Sequence, residues 1–163
     1  MPDDSPPDPE HFVIKLRDFL SESDVYLSLQ AQTKEELLRE LVSHLGSGPE
    51  NTGLLLRLIQ RRESLGSTGI GRGVAIPHCR TQLVPRLRVV FGRKPGGLSW
   101  DAVDGQPVSY VFLLAAPPVE VSNDYLPVLG RIAELVKEPD VPERLGQVKS
   151  PAEFLGLLEE KKN

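Results

Sequence analysis

The largely apolar run from Val108 to Ala116 constrains the fold more than any other part of the sequence. A run of this length without polar alternation is typical of a strand that is buried on both faces. Such a strand needs other strands along its edges and helices over its faces. The alternating segment 87–91 and the short runs 25–29 and 74–76 are the predicted neighbouring strands.

Helical patterns surround these strands. Thr33 and Glu36 have capping-box spacing, in which each side chain accepts the backbone N–H of the other residue. One helix is predicted from there to about Gly46, and a second from about Glu50 to Glu63. The residues expected to face the core are Leu37, Leu38, Leu41, Val42 and Leu45 in the first helix, and Leu54, Leu55, Leu58 and Ile59 in the second.

The last third of the chain is predicted to be helical. Asp124 is the expected N-cap of a long helix, and segments 140–143 and 150–153 each combine a capping side chain, a proline and a glutamate. The mixed order of elements predicts an α/β fold with a mixed sheet flanked by helices, an α/β/α sandwich. The expected core face of the long helix comprises Leu126, Leu129, Ile132, Ala133 and Val136.

Length and composition suit one domain that buries an ordinary core, with 163 residues of which 39% are hydrophobic. We expect residues 1–10 to form a flexible tail and residues 11–163 to form the domain. The acidic, proline-rich start is unlike a signal peptide, and no apolar run approaches the roughly 20 residues of a membrane span. With a single cysteine, Cys79, this predicts a cytoplasmic protein without membrane insertion. The net charge of −4 does not support nucleic-acid binding.

A glycine-rich segment carries the candidate chemistry. Four glycines lie at positions 66, 69, 71 and 73, and the strand 74–76 then leads into Pro77 and His78. Such a loop exposes backbone amides that could face an anion. The segment is not a P-loop, because no Gly-Lys-Ser/Thr follows, and its glycine spacing does not match the dinucleotide fingerprint. It also lacks the nucleophile elbow Gly-x-Ser-x-Gly.

The stretch Leu65-Gly66-Ser67-Thr68-Gly69-Ile70-Gly71, followed by Gly73-Val74-Ala75-Ile76-Pro77-His78, resembles a known family signature. It is similar to the enzyme IIA domain of the phosphotransferase system, of the fructose/mannitol and nitrogen-regulatory type. The resemblance extends more weakly over about residues 12–160. It implies a mixed-sheet α/β fold, a phosphorylated histidine at His78 and a helper arginine at Arg62.

The chemistry of these side chains agrees with that resemblance. A neutral imidazole has an ordinary pKa near 6.5, so His78 can act as a nucleophile at neutral pH. Arg62 offers a planar fork for phosphate oxygens, although Arg61 could take that role, and Ser67 and Thr68 could add neutral donors. No organic cofactor is needed, and the other histidines, in the tail and on a helix, do not suggest a metal site.

The sequence departs from the family pattern at two positions. The pattern usually has a second active-site histidine at the start of the helix that follows the long strand, and Tyr125 occupies that place. Tyrosine can donate one hydrogen bond to a phosphate oxygen but cannot become a cation, so Tyr125 is either a phosphate-stabilising residue or a packing residue. Cys79 stands where glycine is common, and we interpret it as a tolerated small residue rather than a reactive thiol.

The expected function is that of a phosphocarrier protein that accepts a phosphoryl group from a small histidine phosphocarrier of the HPr/NPr type. A regulatory role of the nitrogen-related kind is favoured, because the sequence shows no IIB or membrane domain and lacks the second histidine. One alternative is a sugar-transport component that passes phosphate to a fructose/mannitol-type IIB domain. Another is a IIA-like binding module that is no longer phosphorylated, its partner being an unidentified regulatory target.

Overall fold

The computed structural model describes residues 14–45, 48–119 and 123–163, so the predicted tail and Gly46 lie outside the described residues. Two short 3-10 turns precede the first strand. The strands are β1 (Val25–Tyr26), β2 (Gly69–Gly71), β3 (Val74–Ala75), β4 (His78–Arg80), β5 (Arg88–Leu98) and β6 (Val108–Ala116). The helices are α1 (Lys34–Ser43), α2 (Pro49–Leu65), α3 (Tyr125–Lys137), α4 (Val141–Gln147) and α5 (Pro151–Glu160).

Strand β6 lies at the centre of one mixed sheet. It pairs antiparallel with β5 and parallel with both β3 and β4. Strand β1 extends the sheet beyond β5, and β2 extends it beyond β3. Every residue from Val111 to Ala116 is buried, which confirms the prediction of a central strand, with the bounds expected from the sequence.

Helices cover both faces of the sheet. Helices α1 and α2 contribute Leu37, Leu41 and Ile59 to the core on one face. Helices α3, α4 and α5 pack against the other face, where Ile132 and Phe154 are fully buried. The predicted mixed-sheet α/β/α sandwich is therefore confirmed.

The core prediction was wrong for two residues, Leu54 and Leu126, because each is exposed. Leu54 is 43% exposed, and its neighbour Leu56 is buried in its place. Leu126 is 70% exposed, whereas Val128 is fully buried. Three consecutive leucines in the first half of α2, at 54–56, fit a helical pattern in more than one rotation, and only tertiary packing selects which of them face the sheet.

The helix caps differ in detail from the predicted capping box. The Thr33 hydroxyl accepts the N–H of Glu36 as expected, at 3.1 Å. The Glu36 carboxylate, however, accepts the N–H of Gln32, not that of Thr33. Asp124 precedes α3 without a side-chain capping bond, because its backbone is already helical.

Two of the short strands were not predicted. Residues 69–71 were expected to be loop but form β2, and the strand expected over 74–76 ends at Ala75 and resumes as β4 at His78. Pro77 lies between them, consistent with its lack of an N–H donor. Among the described residues, no helix is both long and apolar enough to cross a membrane.

Close packing of β5 against α1 depends on Gly92. A Cβ added there would lie 2.7 Å from Cδ1 of Leu29 and 2.8 Å from Cδ2 of Leu41, and both leucines are buried. We expect Gly92→Ala to lower the free energy of unfolding by about 1–3 kcal/mol, as overpacking does. Denaturant unfolding would measure this. The control is Gly130→Ala on α3, where a Cβ meets nothing within 4 Å, and which should instead stabilise the helix by about 0.5–1 kcal/mol. Equal stability of the Gly92→Ala variant and the wild type would contradict this packing.

Candidate functional site

His78 opens strand β4 and pairs with Leu114 of the central strand. The sequence placed it just after a strand, and the structure instead places it within one. Because alternate residues of a strand face opposite sides, His78 and Arg80 share one face while Cys79 is buried on the other. The half-buried imidazole is therefore held by a paired backbone rather than by a mobile loop.

The backbone fixes the tautomer of His78. Its Nδ1 lies 2.6 Å from the carbonyl oxygen of Ile76, two residues earlier. A carbonyl oxygen can only accept a hydrogen bond, so Nδ1 carries the hydrogen in this arrangement. The lone pair of the neutral ring is then on Nε2, which is the nitrogen available to act as a nucleophile.

Burial lowers the pKa of His78 below its ordinary value of 6.5, and the nearby charge of Arg62 lowers it further. The hydrogen bond to Ile76 and the charge of Glu63 oppose this shift. The net result is a ring that is neutral, and so nucleophilic, at neutral pH. Only acidification removes the reactive form.

This shift predicts the pH dependence of the site. The unfolded chain takes up the proton near pH 6.5, whereas folded His78 takes it up only at lower pH. Its contribution to stability is therefore complete above about pH 6.5 and is lost as the pH falls towards the lowered pKa. We expect an NMR titration of the His78 ring to give a midpoint below 6.5. A midpoint above that value would contradict the dominance of burial.

Arg62 lies in the last turn of α2 and is half-buried, whereas its neighbour Arg61 is exposed. One Nη1–H of Arg62 donates to the carbonyl oxygen of Gly66 at 2.7 Å. The guanidinium has five N–H donors in all, so further donors remain for an anion. The positive charge of Arg62 acts to lower the pKa of both His78 and Tyr125, so the guanidinium lies within electrostatic range of both side chains.

The glycine-rich segment forms a β2–β3 hairpin, not an open anion loop. The N–H groups of Thr68, Gly69 and Arg72 donate to the side chains of Glu63, Ser67 and Asp104 respectively. Gly71 and Gly73 have φ values of 95° and 78° on either side of Arg72, a tight turn that favours glycine. These three loop amides are therefore satisfied within the protein, two of them by carboxylates, and do not face a bound phosphate as expected.

Ser67 and Thr68 lie just before β2, and their hydroxyls already form internal hydrogen bonds. The Ser67 hydroxyl donates to the carbonyl oxygen of Trp100 at 3.1 Å. The Thr68 hydroxyl donates to the Glu63 carboxylate, and Thr68 is buried. A role for either hydroxyl in binding phosphate remains a prediction, and it requires exchange of these internal hydrogen bonds.

No pattern in the sequence predicted the ion pair formed by Glu63, which lies near the end of α2. The Glu63 side chain is only 6% exposed and forms an ion pair with Lys34 of α1 at 2.8 Å. The Lys34 ammonium also lies over the ring of Trp100, 4.8 Å from its centroid. Glu63 therefore links the end of α2 to Thr68, just before β2, and to Lys34 at the start of α1.

Tyr125 begins α3 and lies beside His78. The two ring centroids are 5.7 Å apart, with the planes at 61°, an edge-on contact. Burial, with a smaller effect of Cys79, raises the pKa of Tyr125 to about 12. The phenol therefore stays protonated and can donate a hydrogen bond at any physiological pH.

Cys79 faces away from this group of residues. It is buried in the core between the sheet and helices α1 and α2, and burial raises its thiol pKa to about 11. A thiol in that state is a weak nucleophile. This agrees with the interpretation of Cys79 as a small core residue.

Comparison with known proteins finds matches that cover most of the chain. Residues 18–161 match the family model described as phosphoenolpyruvate-dependent sugar phosphotransferase system, EIIA 2. The chain is 31% identical over 131 residues to a nitrogen regulatory protein of Bradyrhizobium diazoefficiens, covering 80% of this chain and 85% of that protein. It is also 31% identical to the fructose-specific EIIABC component of Bacillus subtilis, covering 89% of this chain but only 23% of that longer protein.

Solved structures agree with these sequence matches. The nitrogen regulatory protein IIA-Ntr of Neisseria meningitidis superposes with a TM-score of 0.79 and 32% identity, covering 86% of this chain and 97% of that one. The mannitol IIA of Escherichia coli, solved in complex with phosphorylated mannitol IIB, superposes with a TM-score of 0.70 and 26% identity. That match also covers 86% of this chain and 97% of that one.

Proposed function

The chain belongs to the EIIA 2 family of the phosphoenolpyruvate-dependent sugar phosphotransferase system, and we propose that it carries a phosphoryl group on Nε2 of His78. The observation that supports this most directly is the bond from Nδ1 of His78 to the Ile76 carbonyl, which leaves the Nε2 lone pair available. Arg62 is the proposed phosphate-binding cation. The proposed donor is a cytoplasmic phosphohistidine carrier of the HPr/NPr type.

The proposed transfer exchanges one nitrogen–phosphorus bond for another. The Nε2 lone pair of His78 bonds to phosphorus while the bond between phosphorus and the donor imidazole breaks, and the donor nitrogen keeps that electron pair. A donor ring protonated at its other nitrogen then leaves as a neutral imidazole. The His78 ring gains the positive charge, which the Ile76 carbonyl stabilises through Nδ1–H. Positioning and charge stabilisation supply the catalysis.

We favour regulation as the role of the phosphoryl group. The phosphoryl group itself brings about −1.5 to −2 charges by analogy with other phosphoresidues, offset in part by the positive ring. His78 is half-buried, contacts Tyr125 and lies within electrostatic range of Arg62. That change in charge alters the affinity for a protein partner without refolding the domain. The similarity to nitrogen regulatory proteins over most of their length supports this choice.

Transfer to a IIB domain is the second candidate. It is favoured by the similarity to mannitol IIA, which has been solved in complex with phosphorylated mannitol IIB. In that role His78 would pass its phosphoryl group onward for the uptake of a sugar. The two roles share the same acceptor chemistry and differ in the fate of the phosphoryl group.

One experiment tests acceptance and separates the two roles. The protein is incubated with phosphoenolpyruvate and with enzyme I and HPr/NPr-type carriers of its own organism, and intact mass is recorded. We expect one acid-labile phosphoryl group, retained when a purified fructose/mannitol-type IIB domain is added. Rapid loss to IIB would favour sugar transport, and no phosphorylation at all would favour a binding module that is not phosphorylated.

A further inference from the structure

Arg80 belongs to the same face of β4 as His78 and contacts the same aromatic ring. Its guanidinium carbon lies 4.3 Å from the centroid of Tyr125, in a cation–π arrangement. One N–H of Arg80 donates to the carbonyl oxygen of Pro117 at 3.1 Å, which anchors the guanidinium beside the end of β6. Tyr125 therefore makes an edge-to-face contact with His78 and has Arg80 over its ring face.

The Tyr125 hydroxyl is the hydrogen-bond donor that this arrangement would affect. Within the described residues that hydroxyl has no hydrogen-bond partner, although Tyr125 as a whole is only 9% exposed. A cation on the ring face draws electron density from the phenol and so strengthens its O–H as a donor. Consistent with this, the charge of Arg80 opposes the burial that raises the pKa of Tyr125.

We propose that Arg80 is a positioning residue that acts through Tyr125. Its guanidinium holds the Tyr125 ring in contact with His78 and strengthens the hydroxyl that donates to an oxygen of the phosphoryl group on His78. This inference rests on the proposed function of the protein as a phosphocarrier. It assigns a role to Arg80, which the sequence did not single out.

The charges at the site support this assignment. A phosphoryl group brings about two negative charges to a half-buried place. Tyr125 is a neutral donor, and Arg62 supplies one cation from the last turn of α2. Arg80 places a second positive charge against the donor itself, and a desolvated cation–π contact of this kind is worth about 2 kcal/mol, or about thirty-fold in rate at most.

A double-mutant cycle tests whether Arg80 and Tyr125 act as one unit. The variants are Arg80→Met, Tyr125→Phe and the combination, and kcat and KM for the phosphorylated carrier are measured by rapid quench. We expect each single variant to lower kcat about ten-fold with little change in KM, and the double variant to be no slower than the slower single. Arg80→Lys keeps the charge without the planar stacking, so it should recover part of the rate.

A matched control variant separates the role of Arg80 from the general effect of an Arg→Met substitution. Arg39→Met makes the same substitution at an exposed position on α1 and should leave kcat unchanged. Losses that multiply in the double variant would show that Arg80 acts independently of Tyr125 and would overturn the inference. A rise in KM alone would do the same, since it would assign Arg80 to docking.

Failure of the proposed function gives a different result. If the wild type accepts no phosphoryl group, the phosphocarrier proposal itself fails. If the wild type is phosphorylated on His78 but both single variants react at its rate, only the role of Arg80 fails. Should Arg80→Met not fold, as judged by thermal unfolding, Arg80→Lys replaces it in the cycle under the same criterion of non-additivity.

Discussion

Replacing His78 by alanine is expected to abolish phosphorylation: after incubation with phosphoenolpyruvate, enzyme I and the HPr/NPr-type carrier, the variant should retain its unmodified mass. The expectation derives from the geometry of the site. The neutral ring presents Nε2, because Nδ1 is engaged with the Ile76 carbonyl. The other nucleophile on this strand, the Cys79 thiol, is buried on the opposite face and its pKa is raised to about 11.

A second histidine provides the control. His44 follows α1 and stacks on Tyr26, with ring centroids 3.7 Å apart, away from β4. His44→Ala should therefore accept a phosphoryl group as the wild type does. Because His78 is only half-buried, His78→Ala should also unfold near the temperature of the wild type, which separates lost chemistry from lost structure. An acid-labile phosphoryl group on folded His78→Ala would show that the acceptor lies elsewhere.

Elements with a strong local signal were predicted well from the sequence. The apolar run of β6 and the Thr33 and Ser150 caps depend on residues that are neighbours in the chain. Strands β2 and β4 were missed because three residues carry too little pattern, and their pairing partners lie elsewhere in the sequence. Their strand character comes from tertiary pairing alone.

The candidate site likewise contains residues that a local motif predicts and contacts that no local pattern predicts. His78 and Arg62 were found because they lie in or beside a contiguous motif, and alanine variants of each decide whether they act as expected. The contact of Arg80 with Tyr125 joins residues 45 positions apart on a strand and a helix. The ion pair of Glu63 with Lys34 likewise joins two helices. No local pattern encodes either contact, although the i, i+2 spacing of His78 and Arg80 would have suggested a shared face had β4 been predicted.

Arg62→Ala is expected to lower the rate of phosphoryl acceptance by about three orders of magnitude, the lower end of the effect of an arginine that stabilises a transferring phosphoryl group. Arg62 holds one guanidinium N–H on the Gly66 carbonyl and keeps its other donors near His78. The planar fork matches two phosphoryl oxygens, so Arg62→Lys, with the same charge, should restore only part of the rate. Single-turnover kinetics with the phosphorylated carrier would measure both variants.

The variant Arg61→Ala tests whether the slower reaction of Arg62→Ala is specific to the site or results from the loss of any positive charge on α2. Arg61 is exposed and adjacent in sequence, but its helical position points it away from Arg62 by about 100° around the helix axis. Arg61→Ala removes the same charge and should react within about two-fold of the wild type, as surface substitutions usually do. Equal losses in the two variants would assign the arginines to attraction of an acidic carrier surface, and a larger loss in Arg61→Ala would reverse their roles.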